Sequence, residues 1–84
     1  MRKIKIGKIY KHFKGNYYIV LDIVNDSESI GKDFQKVVIY QALYGENLKW
    51  SRSYDSFNSL VDNNKYPNVK QKYRFKEVKE LNVK

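Results

Sequence analysis

The sequence predicts a mainly β fold, a small barrel or roll of about five antiparallel strands with at most one short helix. Short β-branched and aromatic runs recur along the chain, and turn residues separate them. Thirteen of the 84 side chains are aromatic, although only 42% of residues are apolar. Large rings bury more area than aliphatic side chains, so they can build the core of a chain that has the length of one domain.

The first two strands form a predicted hairpin. Lys8–Phe13 is a short strand with apolar residues among lysines, and Lys14-Gly15-Asn16 is typical of a tight turn in which glycine supplies a positive φ. Tyr17–Val24 (YYIVLDIV) is the strongest strand of the chain. Its apolar residues occupy both faces, so we expect it to be central in the sheet and covered on both sides.

Two more strands follow a polar loop over residues 25–32. Gln35–Leu43 (QKVVIYQAL) is a second strong strand, able to pair antiparallel with the first long one. Residues 44–47 read as a turn around Gly45, which again favours a positive φ. Leu48–Ser53 is then a short strand that carries the only tryptophan, Trp50.

The last part of the chain contains one helical pattern and one strand. In Asp55–Asp62, Phe57 and two aliphatic residues lie at helical spacing, and Asp55 is well placed as the N-cap. Lys72–Val78 alternates in a way that indicates a final edge strand. Residues 1–84 therefore read as a single SH3-like domain with its core at about 7–78, and we expect 80–84 to be frayed.

Composition excludes several function classes. With no cysteine, disulfides and Cys-based zinc or nucleophile chemistry are absent. No apolar run approaches the ~20 residues of a membrane span. The basic start lacks the apolar stretch of a secretory signal. We therefore expect a cytoplasmic protein with no metal, no cofactor and no membrane contact.

The net charge of +8 is concentrated at the two ends of the chain. If these ends lie close together, they form one positive face that attracts phosphate polymers. The residues that would carry nucleic-acid binding are Lys8, Lys11, Lys14, Lys49, Arg52, Arg74 and Lys76. The competing explanation, which we favour, is codon bias, because Lys outnumbers Arg 14 to 3 and Arg is the better phosphate reader.

Two motifs carry a resemblance to a known family. YKHFKG at 10–15 and VIYQALYG at 38–45 resemble the Y-x-H-[FY]-K-G and V-Y-x-A-L-Y-G segments of the small bacterial family called domain of unknown function 1653. Further matches are Ser27, Glu28, Trp50, Arg52 and Phe57, whereas Asp26 stands where the family usually has His. The resemblance implies an SH3-like β-roll and no established activity.

Aromatic and basic residues around β-strand positions 40–54 form the first candidate site. Trp50, Arg52 and Tyr54 alternate, so they project from one face of a strand. With Tyr40 and Tyr44 they could line an aromatic groove that stacks on a ligand while Arg52 holds its anionic group. The competing interpretation places Trp50 and Tyr54 in the core, since a small domain needs its rings for burial.

Glu28 and Arg52 both lie in segments that match the family. We expect an ion pair between them that fixes the 25–30 turn against the strand. The alternative role for Arg52 is recognition of a carboxylate or phosphate ligand.

His12 is the only histidine of the chain. One histidine without cysteine cannot make a typical zinc site. As a general base it would need a nucleophile and an acid, which only the fold could bring from Ser27 and Glu28. We favour a histidine that bonds backbone near the Lys14-Gly15 turn, and keep ligand contact as its second role.

These observations favour a non-catalytic binding module over an enzyme. The ligand would be a peptide, a protein or a small anion, and the candidate contact residues are Tyr40, Tyr44, Trp50, Arg52, Glu28 and His12. Nucleic-acid binding by the two basic chain ends is the alternative function.

Overall fold

The structure is a computed structural model that describes residues 2–29 and 35–79. Its elements are β1 (Ile9–His12), β2 (Tyr17–Asn25), β3 (Lys36–Ala42), β4 (Lys49–Ser53), α1 (Tyr54–Phe57) and β5 (Phe75–Glu77). Neighbouring strands are antiparallel, and their order across the sheet is β4-β3-β2-β1-β5. The last strand returns beside the first after a single helical turn, which confirms the predicted mainly β, SH3-like roll.

The first hairpin forms as predicted. Gly15 has a φ of +110°, a conformation that costs glycine little because it has no Cβ atom. Its N–H donates to the carbonyl of His12 at 2.8 Å, and the His12 N–H donates to the carbonyl of Asn16. β1 and β2 then pair with Tyr10 opposite Tyr18.

A β-bulge at Leu21 determines which side chains of β2 reach the core. Val20 pairs with Tyr40 and Asp22 with Ile39, so Leu21 has no partner on β3. Strict alternation from buried Val20 would point Asp22 inward, but the extra residue turns Ile23 inward and leaves Asp22 exposed. The bulge therefore keeps a carboxylate out of the core and bends the strand.

β2 is central in the sheet, as expected, but the expectation that it is covered on both faces is wrong. Tyr17, Leu21 and Val24 keep 37–39% of their surface exposed. The apolar residues on this outer face have no second layer among the described residues to cover them, because the short helix packs on the inner side with Phe57.

The helix is shorter than predicted and begins one residue earlier. Ser53 is the N-cap, and its hydroxyl accepts the N–H of Ser56 at 3.1 Å. Asp55, predicted as the N-cap, lies instead in the first turn. The helix ends at Phe57 because the chain after it turns to make an isolated bridge between Leu60 and Tyr73.

The last strand is also shorter than the predicted Lys72–Val78. Its first residues pair with the segment after the helix, since the Arg74 N–H donates to the Ser59 carbonyl at 2.8 Å. Only Phe75–Glu77 pairs with β1, with His12 opposite Phe75. β5 lies at the sheet edge, as predicted.

The core is a set of packed rings. Phe57 and Phe75 stack with centroids 4.0 Å apart and planes 4° apart. Tyr10 and Tyr40 meet Phe57 edge-on at 5.5 and 5.2 Å. The other members of this cluster are Ile4, Val20 and Val38. Residues 30–34, which include the end of the predicted 25–32 loop, and the tail expected to be frayed, 80–84, lie outside the described residues.

Candidate functional site

The aromatic–arginine site, formed by Tyr18, Tyr40, Tyr44, Trp50 and Arg52, lies on the inner face of the β2–β3–β4 sheet. Trp50 pairs with Tyr40 across β3 and β4, and Arg52 pairs with Val38, so both share the face of buried Val38. The interpretation of Trp50 as a core residue is wrong, because 49% of its surface is exposed.

Two tyrosines join across the hairpin at the edge of this site. The hydroxyls of Tyr18 and Tyr44 lie 2.7 Å apart, and their rings meet edge-on at 5.5 Å. Burial and the bond to Tyr44 raise the pKa of Tyr18 above its usual range. Tyr40, 5% exposed, forms the floor beneath them and touches Tyr18 edge-on at 5.4 Å. Tyr44 is open to solvent.

Arg52 is half-buried and pairs with no carboxylate of the described residues. Its Nε donates to the Tyr40 hydroxyl at 3.3 Å and its Nη1 to the Ser56 hydroxyl at 3.1 Å. The guanidinium lies 5.8 Å from the ring centre of Phe75. Neutral hydroxyls therefore position this cation and leave its charge uncompensated.

The expected ion pair between Glu28 and Arg52 does not form. Glu28 is exposed in the turn after β2, where its N–H donates to the Asp26 carboxylate at 2.9 Å. The side chain of Arg52 points instead toward α1 and the core. The Asp26 side chain therefore stabilises the turn that the pair was expected to hold.

His12 borders the aromatic–arginine site from β1. Its ring stacks on Phe13 at 4.5 Å and meets Tyr18 and Phe75 edge-on at 6.5 and 4.9 Å. Burial, helped by the positive charges of Arg74, Arg52 and Lys14, lowers the pKa of His12 to about 4. The backbone bond expected for it is present, since the Lys14 N–H donates to Nδ1 at 3.1 Å. Neutral His12 thus carries its proton on Nε2.

The catalytic partners considered for His12 lie elsewhere in the fold. β2 runs from Tyr18, beside His12, to Asn25 before the turn that holds Ser27 and Glu28. At ~3.3 Å per residue this places the turn roughly 20 Å away. Among residues 2–29 and 35–79, no three His, Asp or Glu side chains lie close enough together to hold a metal ion.

The residues assigned to nucleic-acid binding do not form one surface. Lys11 and Lys76 are paired neighbours on β1 and β5. Lys49 and Arg52, in contrast, lie on β4 at the opposite edge of the sheet. The two basic ends nevertheless lie side by side where β5 pairs with β1, which was the condition stated for one positive face. The remaining assigned residues, Lys8, Lys14 and Arg74, precede or follow these strands.

Sequence reasoning missed two residues that matter at these surfaces. Tyr18 belongs to the aromatic–arginine site, and alternation from Val20 could have placed it on the inner face. Arg2, which contacts Asn58 and Phe75, precedes every strand and carries no local signal.

In the described part of the chain, no helix has the length and apolarity needed to cross a membrane.

Comparison with known proteins gives one match. A family model described as "Protein of unknown function (DUF1653)" matches residues 8–77, which is most of the chain. No curated protein and no solved structure matches.

Proposed function

The chain belongs to the DUF1653 family, and within that family we propose that it is a non-catalytic binding module whose aromatic–arginine site holds an anionic group. The ligand is a small anion or an anionic side chain or terminus of a peptide or protein. The observation that carries the proposal is the uncompensated, half-buried charge of Arg52.

The chemistry of Arg52 supports an anion as ligand. A guanidinium has five N–H donors in a planar fork, and the bonds to Tyr40 and Ser56 orient that fork without neutralising it. A carboxylate or phosphate would accept two parallel bonds from the remaining donors. Half-burial strengthens such a bond because less water screens the charges.

Exposed rings beside Arg52 support an apolar or planar group on the same ligand. Trp50 is 49% and Tyr44 is 44% exposed, although large rings contribute most when they are buried. Trp, Tyr and Arg are also the residues that dominate the binding energy of interfaces. The site thus combines an anion receptor with two ring surfaces.

The state of His12 supports binding without catalysis. A histidine with a pKa of about 4 is a weak base at neutral pH. Its distance of roughly 20 Å from Ser27 and Glu28, by the strand rise, leaves it without a nucleophile or acid partner there. Its Nε2–H remains a neutral donor that a ligand could use.

The test is a fluorescence titration, because Trp50 is the only tryptophan and lies in the site. The probes are benzoate and phenyl phosphate, with benzamide as the neutral analogue of benzoate. We expect saturable changes with the anions, about tenfold weaker affinity in Arg52→Gln since a charge-assisted bond is lost, and little response to benzamide. Lys49→Gln, which removes a charge from the other face of the same strand, serves as the matched control. Equal binding by Arg52→Gln and Lys49→Gln would contradict the proposal.

Nucleic-acid binding is the second candidate function. It is supported by the pairing of β1 with β5, which brings the two basic chain ends together. A titration with single- and double-stranded oligonucleotides at ~50 mM salt tests it. When the salt concentration rises tenfold, the logarithm of the binding constant should fall by about 0.7–0.9 for each phosphate that the protein neutralises. An absence of binding to both would contradict it.

A further inference from the structure

A basic groove surrounds Tyr73 on the side of the molecule where the chain ends meet. Three adjoining depressions of the described surface share this tyrosine, and the largest encloses about 410 Å³. The basic residues that line this Tyr73 groove are Arg2, Lys3, Lys5, Lys70, Lys72, Lys76 and Lys79. Of these seven, only Lys76 belongs to the set that the sequence pattern assigned to nucleic acid.

The N-terminal segment is anchored beside β5, so its charges are held in place. Ile4 is buried in the core, and its N–H donates to the Tyr54 hydroxyl at 2.8 Å. Arg2 donates from Nε to Asn58 and from Nη1 to the Phe75 carbonyl, each at 2.5 Å. These contacts join the first residues of the chain to α1 and to β5, and they build one wall of the groove.

The groove contains a stacked pair that a simple lysine patch lacks. The Arg2 guanidinium lies over the Tyr73 ring, 3.9 Å from its centre. The Nη2 atom of Arg2 is buried and has no hydrogen-bond partner within the described residues. Because this atom is buried, a ligand in the groove would meet the stacked pair of Arg2 and Tyr73 and not Nη2.

The charge of the groove is strongly positive. Two acidic residues, Glu77 and Asp55, lie among its lining residues, and Glu77 forms an ion pair with Lys5 at 3.5 Å. Lys70, Lys72 and Lys76 are exposed, and no carboxylate of the described residues pairs with them. A ligand with several phosphates meets little repulsion here.

We propose that the Tyr73 groove binds single-stranded nucleic acid. An unpaired base stacks on the Arg2–Tyr73 pair, and the lysines on both sides contact the backbone phosphates. A duplex would present its phosphates but hide its base faces, so the stacked pair favours a single strand. The inference rests on the second candidate function, nucleic-acid binding, and assigns the surface and the ligand class to it.

The experiment compares four variants of the full chain in binding to a fluorescein-labelled oligothymidylate of about 12 nucleotides, which is within the usual site size of a single-strand-binding module. Tyr73→Leu removes the ring, and Tyr73→Phe keeps it. Lys70→Gln/Lys72→Gln removes two charges from the groove. Lys49→Gln/Lys65→Gln removes two charges from residues that do not line it.

We expect Tyr73→Leu to weaken binding by about tenfold, because base stacking is lost, and Tyr73→Phe to bind like the parent protein. The slope of the logarithm of the binding constant against the logarithm of salt concentration should become less steep in Lys70→Gln/Lys72→Gln. The expected reduction is about 0.7 for each lysine that contacts a phosphate. A duplex of equal length should bind more weakly than the single strand and respond little to Tyr73→Leu. Far-ultraviolet circular dichroism and thermal unfolding identify any variant that fails to fold.

The outcomes separate the site from the function. If the folded parent protein binds neither strand form, nucleic-acid binding itself is wrong. If it binds but Lys49→Gln/Lys65→Gln weakens binding as much as the groove variant does, the function stands and the Tyr73 groove is the wrong site. Equal binding by Tyr73→Leu and Tyr73→Phe would contradict base stacking on Tyr73, and with it the reason to expect a preference for single strands.

Discussion

At the scale of single residues, His12 shows how surroundings change the chemistry of a side chain. The ring is packed among Phe13, Tyr18 and Phe75, and Lys14 donates a backbone N–H to its Nδ1. Protonation would break that bond and add a cation beside Arg74 and Arg52. The histidine is therefore neutral at pH 7 and acts as a structural residue that also borders the aromatic–arginine site.

This state of His12 predicts a loss of stability in acid. Its pKa is about 4 in the folded protein against a usual 6.5, so between these pH values the unfolded chain binds more protons. The free energy of unfolding should be constant above about pH 6.5 and fall toward pH 4, by about 1–2 kcal/mol after allowance for solvent screening of a partly exposed ring. Urea unfolding at several pH values measures it.

The matched variant for this measurement is His12→Asn, which cannot take up the proton. The difference in unfolding free energy between the parent protein and His12→Asn should change between pH 6.5 and 4 and be constant above that window. A difference that does not depend on pH would show that His12 does not titrate as described.

At the scale of elements, the bulge in β2 keeps the Asp22 carboxylate out of the core of the sheet. YYIVLDIV contains Asp22 two residues after buried Val20, so an unbroken strand would bury a carboxylate. The unpaired Leu21 changes the register, and the Asp22 carboxylate accepts the N–H of Ile23 at 2.8 Å. The same bend lets β2 pair with β1 near one end and with β3 along most of its length.

Deletion of Leu21 should straighten β2 without changing which side chains face the core. Asp22 then follows Val20 directly, so unbroken alternation keeps Asp22 outward and Ile23 inward, in the same pairs with β3. Only the bend and a side chain that is 37% exposed are lost, so the deletion and Leu21→Ala should each cost about 1 kcal/mol. Urea unfolding of both variants is the measurement, and a loss of about 3 kcal/mol or more on deletion, as for a buried unpaired carboxylate, would contradict this role of the bulge.

At the scale of the whole molecule, rings from four elements form most of the core. Tyr10 on β1, Tyr40 on β3, Phe57 on α1 and Phe75 on β5 pack against one another. Of these four rings, only Phe57 and Phe75 are stacked in parallel, and they join the helix to the last strand. This contact closes the roll and brings the basic segment after residue 69 beside the N-terminal segment.

Phe75→Ala should remove much of the stability of the protein. The side chain is 1% exposed, and truncation of a buried Phe costs about 3–5 kcal/mol, a large share of the total for a small domain. Leu48→Ala, at a position that is 50% exposed, should cost less than about 1 kcal/mol. Thermal and urea unfolding compare the two variants, and a comparable loss in both would be inconsistent with a core centred on Phe75.

Much of the fold could be predicted because its signals are local. Alternating apolar residues predicted the positions of the strands, and Gly15 and Gly45 both adopt the positive φ expected of turns. The ends of α1 and β5 were wrong because pairing between residues 59–61 and 72–74, far apart in sequence, decides them. Single-strand alternation also hid the bulge, since a strand with apolar residues on both faces fits either register.

The candidate sites likewise combine features that local sequence predicts with contacts that only the tertiary structure determines. Local spacing was enough to put Trp50 and Arg52 on one face of a strand, because successive side chains of a strand point to opposite sides. Folding then joined Tyr18 to Tyr44 over 26 positions and Arg2 to Asn58 over 56, and left Glu28 apart from Arg52. Such contacts depend on the bend of the sheet and on the path of the returning chain, which no short stretch of residues encodes.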